Sequence, residues 1–192
     1  MKKLITLSIM SIMLLFSVTA NSAEQYKIDT KGAHAFIQFK IKHLGYSWLL
    51  GRFNTFDGGF QIDRNNLENS SIEVNIDPSS IDSNHAERDK HLRGEDFLAV
   101  DQYPQAKFVS TSITKTGEDT AVVTGDLTLH GVTKPIDIEA KLIGEGKDPW
   151  GGYRIGFEGT TTFALKDFGI DYDLGPASTH VDMFLSIEGI KQ

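Results

Sequence analysis

The chain has no cysteine among its 192 residues, which excludes disulfides, thiol catalysis and lipid attachment through cysteine. Patterns typical of a nucleophile elbow, a P-loop or a dinucleotide-binding loop are also missing. Cationic side chains are in the minority, and the formal net charge is −7. A net negative surface repels nucleic acid and anionic lipid headgroups, so we predict no nucleic-acid partner.

One long apolar run, Leu4–Val18, follows two lysines and precedes the small residues Asn21-Ser22-Ala23. The run is too short to cross a bilayer comfortably, so a cleaved signal peptide over residues 1–23 is favoured over a membrane anchor. A start with two lysines is typical of a signal peptide that directs a bacterial protein to the periplasm. Without the two leader lysines the charge is −9, and residues 24–192 are predicted to form one domain.

Period-two alternation of apolar and polar residues recurs through residues 24–192. This pattern is typical of antiparallel strands with one buried face. The clearest apolar faces are Ile37/Phe39/Ile41, Ile72/Val74/Ile76, Ile136/Ile138/Ala140/Leu142, Tyr153 to Leu165 by twos, and Val181/Met183/Leu185/Ile187.

Glycine-rich or proline-containing turns separate these runs, and several runs reach ten residues. Long strands in meander order favour a closed barrel, which also leaves no free sheet edge. We predict an all-β fold: an antiparallel β-barrel of about eight strands with one short helix insertion. A β-sandwich is the alternative.

The predicted helix lies within Asn84–Phe97, a densely charged stretch with few apolar residues. Ser83 or Asn84 is the expected N-cap, and Gly94 is expected to end the helix in a left-handed conformation. Spacing by four pairs His85 with Asp89 and Glu87 with His91, residue types that bind zinc. The alternatives are a metal or acid–base site, a solvated surface with mutual ion pairs, and a polar lid.

The interior of the barrel is expected to be rich in aromatic rings, since the chain has twelve phenylalanines. An eight-stranded barrel is just wide enough to be filled by side chains or to hold one small ligand. Composition leaves both alternatives open. His43 shares the inward parity of Phe39 and Ile41, so it is either a core histidine or a contact for the polar end of a ligand.

Several motifs, in matching order across residues 24–192, resemble those of the YceI-like family. They are Ile28-Asp29, His34-Ala35-Phe36-Ile37, His43-Leu44-Gly45, Gly51-Arg52-Phe53, Phe56-Asp57-Gly58, the stretch from Arg88 to Arg93 with Asp96-Phe97 and Tyr103-Pro104, Gly125 to Pro135, and Asp167-Phe168 to Gly175. The resemblance implies a lipocalin-like barrel around an elongated pocket that binds a polyisoprenoid chain, such as an isoprenoid quinone or a prenyl lipid. It also admits a homodimer, and it supplies no catalytic residues.

We therefore expect a soluble periplasmic carrier of a long isoprenoid lipid, with no cofactor, no bound metal and no catalytic residues. The expected ligand-binding residues are Ile37, Phe39, Ile41, His43, Trp48, Phe60, Leu127, Leu129, Phe157, Phe163, Met183 and Leu185. The expected mouth or lid consists of His85, Arg88, Asp89, His91, Arg93 and Phe97, and His43 and Trp48 are expected to frame the same opening. The rival hypotheses are an enzyme using His85, Glu87, Asp89 and His91, and an interaction protein with a filled barrel.

Overall fold

A computed structural model describes residues 23–192. The predicted signal peptide lies outside these residues, apart from Ala23. The described strands are β1 (Glu24–Ile28), β2 (Phe36–His43), β3 (Ser47–Phe53), β4 (Phe56–Ile62), β5 (Ser71–Ile76), β6 (Ile81–Asp82), β7 (Ala106–Lys115), β8 (Thr120–Leu129), β9 (Val132–Lys147), β10 (Tyr153–Ala164) and β11 (His180–Lys191). One α-helix, α1 (Ala86–Arg93), and three short 3₁₀ turns (Leu67–Asn69, Pro78–Ser80, Leu165–Phe168) complete the described elements.

The strands form one closed antiparallel barrel with eight positions. Each of the first three positions is shared by two strands separated by a break: β1 with β2, β3 with β4, and β5 with β6. β7 to β11 then follow as a meander, and β11 closes the ring by pairing with β2 over one half and β1 over the other. The predicted barrel is confirmed, and the β-sandwich alternative is wrong.

Glycines make room for large rings inside the barrel. A Cβ on Gly189 would lie 2.3 Å from Cζ of Phe60, and one on Gly125 would lie 2.4 Å from Cζ of Phe108. In both cases a glycine on one strand leaves room for an aromatic ring from another strand. Phe60 also stacks on Tyr26, with ring centroids 5.1 Å apart. The rings therefore pack against the barrel wall.

Helix α1 covers a gap in the wall. β5 pairs with β7 only from Glu73 to Ile76, and β6 has no ladder to β7 among the described strands. α1 lies beside β6, and Leu92 of the helix packs against the main core cluster together with Phe97 and Leu98, which follow it. The helix is thus part of the wall, although most of its surface is charged.

The ends of α1 differ from the sequence prediction. The N-cap is His85, whose Nδ1 accepts a hydrogen bond from the Arg88 backbone N–H (3.2 Å), so neither Ser83 nor Asn84 caps the helix. Asn84 has a φ of 63°. This left-handed conformation turns the chain just before the N-cap residue, His85. Gly94 ends the helix in an extended conformation, with φ −72°, and the predicted left-handed ending is wrong.

An ion cluster stands at the seam where β1 meets β11. Arg154 donates hydrogen bonds to Asp29 (2.6 Å), Asp148 (2.8 Å) and Glu188 (2.5 Å), and His34 Nδ1 lies 3.0 Å from Asp29 Oδ2. Asp29 is buried at 5% exposure. Its hydrogen bond from Arg154, helped by those from His34 and Gly32, lowers its pKa to about 2. The cluster ties the β1–β2 break to β10 and β11.

Candidate ligand cavity

The barrel encloses a cavity of about 910 Å³ whose lining is almost entirely apolar. Phe157, Phe163, Met183 and Leu185 face this space and are only half-buried, although they lie inside the barrel. Side chains therefore do not fill the barrel, contrary to the filled-barrel alternative.

Part of the cavity wall is built from small side chains. Ala121 on β8 pairs directly with Ala140 on β9, and Ala140 pairs with Gly159 on β10. All three residues line the cavity. We call them the small-residue row. Three neighbouring strands thus present at most a methyl group at the same level of the barrel, where larger side chains would fill an eight-stranded interior.

Strand parity located most of the predicted wall. Of the twelve predicted ligand-binding residues, the ones that line the cavity are Ile37, Phe39, Ile41, His43, Phe60, Leu127, Leu129, Phe157, Phe163, Met183 and Leu185. That these residues bind a ligand stays a prediction.

Trp48, which was expected at the mouth, is the exception, because it does not line the cavity. The β2–β3 hairpin pairs His43 with Ser47, so Trp48 stands opposite Lys42 on the outer face of the sheet. The indole is 49% exposed, and Nζ of Lys40 lies 4.6 Å from its ring centroid. Leu49, the next residue, faces the cavity instead.

The predicted mouth residues divide into two groups. Arg88, His91 and Phe97 line the cavity, whereas His85, Asp89 and Arg93 do not. His85 caps the helix, and Arg93 lies 3.5 Å from the carbonyl oxygen of Ile81.

Asp89 is buried at 8% exposure and serves as an internal anchor of the helix. One of its carboxylate oxygens accepts hydrogen bonds from the backbone N–H of Ser83 (2.8 Å) and from the Ser83 hydroxyl. Arg88 donates to the same hydroxyl (2.8 Å) and to the Ser83 carbonyl (2.6 Å). These bonds fix α1 to the chain segment that follows β6.

Polar side chains meet the cavity at both ends of the barrel. Near α1 they are His43, Glu87, Arg88 and His91. At the opposite end they are Gln61, Arg64, Ser70 and the residues around the β7–β8 turn, Lys115, Glu118, Asp119 and Thr120. An elongated apolar molecule inside the barrel would therefore find polar partners at either end.

Arg64 is the best-anchored cation at the second end. Its guanidinium bonds Glu145 (2.5 Å) and Glu24 (2.9 Å), and the bond to Glu145 is the main reason that its pKa lies above the usual range. Glu24 also accepts from Lys191 (2.6 Å), which is the main cause of its pKa of about 2. The positive charge of Arg64 is therefore already paired with carboxylates of the barrel itself.

Sequence reasoning missed two kinds of lining residue. Residues on predicted inward faces, including Ile72, Val74, Ile76, Ile136 and Ile138, also line the cavity and could have been included by parity alone. Leu92, Leu98, Tyr172 and Leu174 come from the helix and from irregular segments. No period-two pattern marks such residues.

Among residues 23–192, no group of three closely spaced metal-ligating side chains includes a residue of α1. In the described part of the chain, Asp29, His34 and Glu188 form the one group of three metal-ligating side chains close enough to share an ion. Arg154 already lies between two of them, 2.6 Å from Asp29 and 2.5 Å from Glu188. A guanidinium thus supplies the positive charge there.

Comparison with known sequences places this barrel in a family. The model of the YceI-like domain matches residues 26–189. The chain belongs to the YceI-like family. A UPF0312 protein of Shewanella denitrificans is 56% identical over 192 residues, which cover all of both chains.

Solved structures share the YceI-like fold at low sequence identity. Burkholderia cenocepacia BcnA superposes with a TM-score of 0.76 at 21% identity, covering 84% of this chain and 98% of that one. A polyisoprenoid-binding domain from Saccharophagus degradans gives a TM-score of 0.66 at 18% identity, covering 87% and 98%. Among residues 23–192 of this YceI-like chain, no helix has the length and apolar character needed to cross a bilayer.

Proposed function

We propose that this YceI-like protein is a soluble periplasmic carrier that holds a long polyisoprenoid lipid, an isoprenoid quinone or a prenyl lipid, inside the barrel. The observation that carries the proposal is the apolar cavity of about 910 Å³. This volume is near the upper end of the ~300–1,000 Å³ typical of ligand pockets, which favours a long molecule. A structural relative described as a polyisoprenoid-binding domain supports the same ligand class.

The chemistry of the lining supports binding through apolar area. Each buried CH₂ group contributes ~0.8 kcal/mol, so ~20 buried carbons give a gross ~16 kcal/mol. That figure approaches the limit of non-covalent affinity, and ordering a flexible chain offsets much of it. Tight binding therefore needs few hydrogen bonds inside the barrel, and the polar side chains at the two ends suffice for a headgroup.

We propose a binding function without catalysis. The rival enzyme hypothesis needed His85 and Asp89 as a reactive or metal-binding pair. His85 Nδ1 is used by the helix cap, and Asp89 is buried against Ser83. A second pair, Glu87 and His91, remains near the cavity, but two ligands alone are fewer than the three that a catalytic zinc site uses.

The first test is the cargo itself. Protein purified from its own periplasm without detergent should show a non-covalent apolar adduct in native mass spectrometry, and solvent extraction should release an isoprenoid. Repeated isolation of empty protein that also fails to take up a quinone or a polyprenol would refute the carrier proposal. Stoichiometric zinc that survives dialysis would favour the enzyme instead.

The second test blocks the cavity. Thr161 on β10 faces the cavity and pairs with Met183, whereas its neighbour Thr160 is exposed on the outer face. Thr161→Trp should reduce quinone uptake at least tenfold because the indole occupies the space, and Thr160→Trp should bind like the wild type. Circular dichroism of both variants verifies the fold. Equal uptake by the two folded variants would place the ligand outside the barrel.

A further inference from the structure

The outer surface of the β2–β3 hairpin carries an unusual group of exposed apolar side chains. Leu44 and Tyr46 form its tip and are 56% and 87% exposed. Trp48 and Leu50 continue along β3, at 49% and 64% exposed. We call these four residues the hairpin patch. Single exposed apolar residues are ordinary, but four large ones on one hairpin mark an interaction surface.

Cations flank the hairpin patch. Strand register places Lys42 opposite Trp48 and Lys40 opposite Leu50. The ammonium groups of Lys40 and Lys42 lie 4.6 Å and 5.7 Å from the Trp48 ring centroid. Lys40 forms an ion pair with Asp182 (3.5 Å), whereas Lys42 has no ion pair among the described residues. This face is locally basic, although the chain as a whole is acidic.

The tip of the hairpin is held in a defined shape. Leu44 and Gly45 both have left-handed backbones, with φ 52° and 83°. This conformation is unfavourable for leucine, and it turns the chain at the tip of the hairpin. The buried Ser178 donates from its hydroxyl to the Lys42 carbonyl oxygen (2.5 Å), which fastens the base of the tip to the loop before β11.

The combination fits the interface of an anionic lipid bilayer. Tyrosine and tryptophan favour the headgroup level, because each has an apolar body and a polar edge. Lysines extend their charges toward anionic headgroups while their stems remain on the apolar surface. We propose that the hairpin patch, with Lys40 and Lys42, docks this protein on an anionic phospholipid bilayer. The net negative charge alone predicted repulsion, and this face is the local exception.

The patch also lies beside the cavity. Ile41, His43 and Leu49 of the same hairpin line the cavity from the other side of the sheet. Docking would therefore bring the α1 end of the barrel to the membrane surface. Bilayer docking does not require a bound lipid, so it can be tested separately from the carrier proposal.

The test is flotation of the full protein with phosphatidylcholine vesicles that contain or lack phosphatidylglycerol. Wild type should float with the phosphatidylglycerol vesicles, less so as salt is raised. Tyr46→Ser should weaken this binding at least tenfold, and Lys42→Gln about fivefold, the equivalent of one interfacial lysine. The control is Trp150→Ser in the β9–β10 loop, because Trp150 is an aromatic residue outside the hairpin patch that is 76% exposed.

Three outcomes would overturn the proposal. The first is a wild type that does not float with anionic vesicles. The second is equal binding by Tyr46→Ser and the wild type, or an equal loss in the Trp150→Ser control. The third is a wild-type dimer that Tyr46→Ser converts to monomer without any vesicle binding, which would assign the patch to a second copy of the chain. Quinone uptake from detergent-free solution should stay unchanged in Tyr46→Ser, so loss of docking is distinguishable from loss of cargo binding.

Discussion

Replacing Asp29 by asparagine removes one carboxylate from the ion cluster at the barrel seam while keeping the side chain's size. The ordinary pKa of 3.8 falls to about 2 in the folded chain. A difference of that size is worth at most ~2.5 kcal/mol at neutral pH. Because His34, which is 52% exposed, opens one side of the cluster to water, we expect a loss of about 1–2 kcal/mol.

The pH dependence of this loss has a definite sign. A carboxylate whose pKa is lowered by folding stabilises the protein above its unfolded pKa, and the stabilisation disappears as pH falls through the folded value. The difference in unfolding free energy between wild type and Asp29→Asn should therefore be full above about pH 5. It should shrink between about pH 4 and pH 2.

Urea unfolding of both proteins at a series of pH values from 7 to 3 measures that difference. Taking the difference cancels the contribution of other carboxylates, such as Glu24, which also has a pKa of about 2. Glu73→Gln is the matched control, because its partner Lys107, at 2.7 Å, forms an exposed pair that should contribute well under ~1 kcal/mol. A constant difference across this pH range would refute the electrostatic role of Asp29.

Two further changes test the helix anchor and the packing of the wall. Asp89→Ala leaves the backbone N–H and hydroxyl of Ser83 without their buried acceptor, so thermal or urea unfolding should show a loss of about 1–3 kcal/mol; a neutral result would mean that α1 is anchored elsewhere. Gly189→Ala places a methyl against Phe60 and should cost about 1–3 kcal/mol, whereas Gly146→Ala, with no atom within 4 Å of the added Cβ, should cost far less. Equal unfolding midpoints for the two glycine variants would contradict the ring-over-glycine packing.

The sequence allowed the barrel and most of its lining to be predicted, because alternation determines the face on which each side chain lies. Ile37, Phe157 and Met183 were placed on the cavity by counting in twos. The same count cannot cross a turn, since the turn's length resets the parity. Trp48 follows such a turn and was assigned without a count, and the register from His43 to Ser47 places it on the outer face.

The cavity itself was beyond prediction from composition. Its volume depends on which small residues meet at one level, and that depends on the register between strands. The sequence shows Ala121, Ala140 and Gly159 as unrelated positions, and only the paired strands bring them into one row. The anchoring role of Asp89 was hidden as well, because its partner Ser83 lies outside the helix.

The small-residue row also makes the barrel's inner width adjustable in single steps. Each of its three residues contributes its backbone to the hydrogen-bonded ladder and almost nothing to the interior. Adding one or two carbons at Ala121 or Ala140 would narrow the cavity near the β7–β8 turn while the ladder stays intact. The row therefore sets the inner width of the cavity at that point. Barrels of equal stability could then differ in the thickness of chain they admit, through changes at two or three positions.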